Sequence, residues 1–229
     1  VHVTLNGRDE SVLATTAQEI RHLAPDIDVI TVAGNVSDPQ CQQALLDATP
    51  GADILINNNG GPPFRDFREL DREAMTEGVT MNMITPIEMI NGVIDDMSAR
   101  GFGRIVNITS ISVKKPVLGL DLSSGARAGL TAFLAGVCRS VAHNNVTINN
   151  ILPGFFNTDR LQGSFKASAS ALGITVEDAA EQRSAQIPAK RFGEPEEFGE
   201  ACAFLCSNQA GYITGQNLLL DGGVFESAF

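Results

Sequence analysis

The chain has 229 residues, 43% hydrophobic and 19% charged, enough for one α/β domain with a sizeable core. Its net charge of −11 argues against nucleic acid or an anionic membrane as partner, because both call for a basic face. Cys41, Cys138, Cys202 and Cys206 show no metal-ligand spacing, so no metal site is expected; they read as buried free thiols of a reducing, cytoplasmic compartment.

In chain order, Val1 to Leu5 alternates as a strand and runs straight into Asn6-Gly7-Arg8-Asp9. A chain that opens inside a strand implies a unit before it. Glu10 to Leu23 has the spacing of an amphipathic helix, and Ile27 to Val32 is a second strand. Ser37 or Asp38 can cap the next helix, with Pro39 at its first position. Asp53 to Ile56 is a short buried strand that ends in Asn57-Asn58-Asn59-Gly60-Gly61. The Pro62-Pro63-Phe64-Arg65 loop after it would line the mouth of a cleft. Asp71 to Arg100 is a long helical segment with Thr85-Pro86 near its middle, and all five methionines fall inside it. A methionine stripe of this kind is more often core or subunit interface than a cofactor site.

Gly103 to Ser110 is a β-branched run, the pattern of a parallel strand buried on both faces. Its closing hydroxyl stands where open α/β sheets bind ligands. The helix from Leu122 to Ala142 is apolar nearly all round and must be covered on more than one side. Val146 to Leu152 is the next strand and ends at Pro153-Gly154. Leu161 to Gln186 is rich in Ala and Ser. Gly193 to Glu197 opens a helix with a proline in its first turn and acids against its dipole. Leu218 to Asp221 closes the chain as a strand.

Thirteen positions after Ser110 comes Ser123, and four further on Arg127. Residues i and i+4 share one helix face, so Ser123 and Arg127 can point into one cleft with Ser110. At this spacing the sequence resembles the short-chain dehydrogenase/reductase family, which carries a Ser after a central strand and then Tyr-x-x-x-Lys. The frame is kept down to Ala128-Gly129-Leu130, but Ser123 stands at the Tyr position and Arg127 at the Lys position. Asn57 to Gly60 resembles the family's Asn-Asn-Ala-Gly, Pro153 to Thr158 its Pro-Gly-x-x-x-Thr turn, and Tyr212 to Gly223 its closing motif. The resemblance covers essentially the whole chain. It implies a Rossmann-type, doubly wound parallel α/β sheet over residues 1–229, with a lid insertion at about 159–190. It also implies a first strand and a Gly-rich pyrophosphate turn, which these residues lack. Flanking strands about two strand spacings apart are then expected.

The resemblance assigns the site residues. Ser110, Ser123, Arg127 and Asn82 would be catalytic, with Asn82 at the position of a family Asn that carries a water relay. Arg8, Asn35, Val36, Asn58, Asn59, Gly60, Pro153, Gly154 and Thr158 would hold the cofactor. Family members usually have Asp where Asn35 stands. Arg8 follows a strand end where an acid would select NAD; a guanidinium there can grip a 2′-phosphate, which favours NADP over NAD.

The family tyrosine protonates the carbonyl oxygen. Serine is a far weaker acid, arginine holds its proton, and the single tyrosine, Tyr212, belongs to the closing motif. Three activities stay open. One is a reductase or dehydrogenase of a small carbonyl or alcohol, with an oxyanion hole and a proton from water, Lys114 or Lys115. The second is a cofactor-binding protein without redox turnover. The third is a non-redox addition or elimination. In the family the helix at 122–142 also packs on a neighbouring subunit, so a homodimer or homotetramer is expected.

Overall fold

The computed structural model describes residues 1–228, the side chain of Ala167 excepted; Phe229, the end of the expected domain, lies outside the described residues. Strand β1 (Val3–Gly7) leads into helix α1 (Glu10–Leu23), whose cap Asp9 accepts the Ser11 and Val12 N–H groups. β2 (Val29–Ala33) is followed by α2 (Pro39–Ala48), capped by Asp38 with Pro39 first, and then by β3 (Ile54–Asn57). β4 (Gly103–Ile108), β5 (Val146–Pro153) and β6 (Asn217–Leu220) complete the strands.

All pairings are parallel. β1 pairs with β2, and a separate sheet runs β3-β4-β5-β6. The sheet expected from sequence is thus found as two pieces. Among the described residues, β1 is laddered only to β2 and β3 only to β4.

The long segment at 71–100 is not one α-helix. It comprises α3 (Arg72–Val79), a π turn (Thr80–Ile84) and α4 (Thr85–Arg100). Pro86 accounts for the break. In a regular α-turn its ring would collide with the Asn82 carbonyl, and the wider turn, closed by Thr85 N–H to Thr80 O, relieves that clash. α5 (Asp121–Val141) and α4 cover one face of the larger sheet, with Ile90, Met97, Leu130 and Leu134 packed on Ile105 and Ile148. Helix α8 (Pro195–Cys206) covers the other face, against Val106 and Ile151. Neighbouring residues of β4 therefore serve opposite cores, as a doubly wound sheet demands. Each such fully buried side chain is worth ~1.5–3 kcal/mol. The Ala- and Ser-rich region forms α6 (Asp159–Leu172) and α7 (Val176–Ala185), with their own small core around Phe165.

A file of asparagines crosses the larger sheet at one register. Asn57 donates to Asn107 (2.9 Å), Asn107 to Asn150 (3.2 Å) and Asn150 to Asn217 (2.8 Å). Asn107 and Asn150 are buried, so each amide depends on its neighbours for satisfaction. The file runs from the last residue of β3 to the first residue of β6 and fixes the relative height of the strands.

Candidate active site

The carboxyl ends of β3 and β4, the π turn and the first turns of α5 meet in one place. Ser123 and Arg127 stand one turn apart on α5 and are 5% and 8% exposed, with Asn82 at 1%. Their hydrogen bonds close a circuit. Arg127 Nε donates to Ser123 Oγ (3.2 Å), and Ser123 Oγ donates to Asn82 Oδ1 (3.4 Å). Asn82 Nδ2 donates to Gly60 O (2.7 Å), and Arg127 Nη2 returns to Asn59 O (3.3 Å). Asn59 Nδ2 donates to Met81 O (2.7 Å), tying the turn after β3 to the π turn. Arg127 Nη1 donates to Ile108 O (2.7 Å), the first carbonyl beyond the last rung between β3 and β4. One guanidinium thus holds a hydroxyl and two strand-end carbonyls, and two of its five N–H groups remain.

The Ser123–Asn82 bond is long. The hydroxyl proton is the least firmly held in the circuit, and a substrate oxygen can take it over while Arg127 stays on Ser123 Oγ. Ser110 lies two residues beyond the carbonyl that Arg127 grips. Its own oxygen accepts from Ser112 N–H (3.1 Å), and no direct bond joins it to Ser123. The structure therefore brings Ser123, Arg127, Asn82, Asn59 and Gly60 together, with Ser110 on the adjoining strand end.

Burial pushes the Arg127 pKa down from the ordinary guanidinium value to about 10, and the charge of Arg160 adds to the shift. The group is a cation at neutral pH. Arg160, in the first turn of α6, places Nη2 and Nη1 3.3 and 3.4 Å from the point a Gly61 Cβ would occupy; Arg127 Nη2 is 3.7 Å from the same point. Sequence reasoning left Arg160 outside the site. Its one signal was its place two residues after Thr158.

The remaining cofactor candidates ring the carboxyl edge. Gly154 N–H donates to Leu220 O (2.8 Å), and a side chain there would strike Asp221 Cα at 2.8 Å, so only glycine lets the two strand ends close up. Thr158 caps α6 through Leu161 N–H (3.4 Å). Asn58 is exposed, and a Cβ at Gly60 would meet open space. Asn35 Oδ1 accepts from Ser37 N–H (3.1 Å), and Val36 O accepts from Gln42 (3.0 Å). Beside Asn35 lies an open cavity of about 560 Å³, bounded by Ser37, Thr76, Thr80 and Met81, within the size range of a nucleotide-binding cleft. Arg8 is exposed and, among the described residues, in no ion pair. Asp9, its neighbour, is committed to the α1 cap, where Ser11 and Val12 lower its pKa.

The lysines considered as proton donors turn elsewhere. Lys114 sits 5.3 Å from the Phe225 ring centre, and Lys115 bonds Val224 O (3.1 Å) and pairs with Glu226. No described cluster of His, Cys, Asp or Glu could hold a metal, and no described helix is long and apolar enough to cross a membrane.

Parallel strands with ligand-type polar groups at their carboxyl ends define a Rossmann-type dinucleotide fold. The family model for enoyl-(acyl carrier protein) reductase matches residues 2–225. The chain is 33% identical to the acetoacetyl-CoA reductase of Cupriavidus necator over 201 residues, 86% of this chain and 77% of that one. It is 31% identical to the NADPH-dependent reductase BacG of Bacillus subtilis, over 98% of this chain and 88% of that one. Among solved structures, YwfH, an NADPH-dependent reductase involved in bacilysin biosynthesis, superposes with a TM-score of 0.92 at 30% identity, covering 99% and 89% of the two chains. L-sorbose reductase from Gluconobacter frateurii, complexed with NADPH and L-sorbose, gives 0.93 at 26% identity, over 99% and 88%. The chain belongs to the short-chain dehydrogenase/reductase family, the nicotinamide-dependent oxidoreductases.

Proposed function

We propose that the protein interconverts a small carbonyl compound and its alcohol with NADP(H), using Ser123 and Arg127 where the family has Tyr and Lys. The observation that carries this reading is the buried hydroxyl–guanidinium pair, fixed by Asn82, Asn59 and Ile108 at the carboxyl edge of the sheet. Arg8, Asn59 and Gly60 would hold the cofactor, whose bound nicotinamide would supply the hydride to the carbonyl carbon. The C=O π pair moves onto oxygen, where the Ser123 O–H and the charge behind it stabilise the growing alkoxide. That oxygen takes its proton from water, so carbonyl, hydride and proton make one alcohol. Ser110 borders the same pocket and orients the carbonyl, and Asn82 positions Ser123.

Arg8 supports NADPH, because Asp9 is turned into its own helix and leaves the guanidinium alone to meet a 2′-phosphate. The relatives named above include NADPH-dependent reductases, in keeping with this choice. The outer face of α5, with exposed Phe133 beside Ala132 and Gly136, suits a homodimer or homotetramer contact. The acidic composition suits the cytoplasm.

Fluorescence titration with NADPH followed by turnover against a panel of ketones and oxo acids tests the reading. Binding with NADPH oxidation supports it. Tight binding with no turnover in either direction would assign a cofactor-binding protein instead.

A further inference from the structure

The two guanidiniums of Arg127 and Arg160 meet over Gly61. Arg127 is almost wholly buried, and Arg160 approaches it from the first turn of a different helix, across the volume that a side chain at position 61 would fill. Like charges held this close repel, more so where one is buried. Among the described residues neither is in an ion pair, although the chain carries 27 acids against 16 lysines and arginines. Arg104, the other buried arginine, shows the contrast. Its guanidinium is spent on Ser207 O, Gly103 O and Asn145 O at the opposite end of the sheet. Arg127 keeps N–H groups in reserve, and Arg160 has no hydrogen bond within the described residues.

Two unpaired guanidiniums facing one small gap form a receptor for an anion that each can bind through parallel N–H groups. Arg127 ties the gap to Ser123 Oγ, the group assigned above to the reacting oxygen, through its Nε hydrogen bond of 3.2 Å. We infer that Arg127 and Arg160 bind a carboxylate of the substrate, so that the substrate is an oxo acid with its carboxylate one or two carbons from the carbonyl. Arg160 is then the specificity residue and Gly61 the space that admits the carboxylate. This assignment rests on the reductase reading for the word substrate, but the anion site itself can be tested without turnover.

The experiment is equilibrium binding, by calorimetry with the full chain saturated with NADP⁺. The probes are a 2-oxo acid, the matching 3-oxo acid and the methyl ester of each. One acid is expected to bind at least about tenfold more tightly than its ester, the worth of one charge-assisted hydrogen bond. That acid-to-ester ratio should collapse towards unity in Arg160→Gln, an exposed position that does not endanger folding. Gly61→Ala should reduce the same ratio, by crowding the guanidiniums apart. Equal binding of acid and ester by the unmodified protein, or an unchanged ratio in both variants, overturns the inference. Tight acid binding with no NADPH turnover upholds the anion site and sinks the reductase reading, so the two fail separately.

Discussion

Replacing Arg127 by methionine keeps the length and the apolar stem but deletes the guanidinium. Three hydrogen bonds go with it, to Ser123 Oγ, Ile108 O and Asn59 O. Bonds of this charge-assisted kind contribute ~1.5–3 kcal/mol each. Against them stands the burial of the cation, which lowers its pKa to about 10 and costs roughly 3 kcal/mol. The balance is a loss of ~2–5 kcal/mol, because two strand-end carbonyls and a hydroxyl are left without their donor. For a chain of this size that is a Tm drop of roughly 5–15 °C. Thermal unfolding followed by circular dichroism, beside urea titration, measures it. A variant as stable as the parent would refute the view that this arginine clamps the strand ends; buried ion pairs replaced by apolar groups sometimes behave so.

Asn107→Leu removes the middle of the asparagine file, leaving Asn57 Nδ2 with only its long bond to Pro86 O (3.4 Å) and Asn150 Oδ1 without its donor. A loss of about 2–5 kcal/mol in urea unfolding is expected, and a loss under about 1 kcal/mol speaks against a cooperative file. Arg8→Ala should cut the preference for NADPH over NADH about tenfold or more; an unchanged affinity ratio removes Arg8 from the cofactor site. kcat/KM should hold level from about pH 8 and fall as pH rises through about 10, where Arg127, faced by Arg160, loses its charge. The stability effect has the opposite sign. The cost of the buried cation is fully present below about pH 10 and is relieved as pH rises above it towards the ordinary guanidinium value. A rate level to pH 11 contradicts the assignment of Arg127.

Much of this was legible in the chain, for physical reasons. Glu10–Leu23 carries a clean period of 3.6 residues, Val146–Pro153 is rich in β-branched residues, and Asp9, Asp38 and Pro39 mark helix starts chemically. Ser123 and Arg127 were linked by i,i+4 spacing alone. Other features depend on register or on distant loops, which local pattern does not encode. The alignment of Asn57, Asn107, Asn150 and Asn217 follows only once the four strands are paired. Arg160 meets Gly61 through a loop path no periodicity describes. Lys114 and Lys115 looked free for proton transfer because their partners, Phe225 and Glu226, come from the other end of the chain. The π turn did have a signal in Pro86, which cannot sit in an unbroken α-helix without cost.

The most direct measurement is a single-turnover reaction with NADPH deuterated at the transferred position, run with an oxo acid substrate. Deuterium at the new carbinol carbon, with the rate down about 100-fold or more in Ser123→Ala, is the predicted result. Deuterium transfer at an undiminished rate in that variant would show that the chemistry proceeds without the hydroxyl–guanidinium pair.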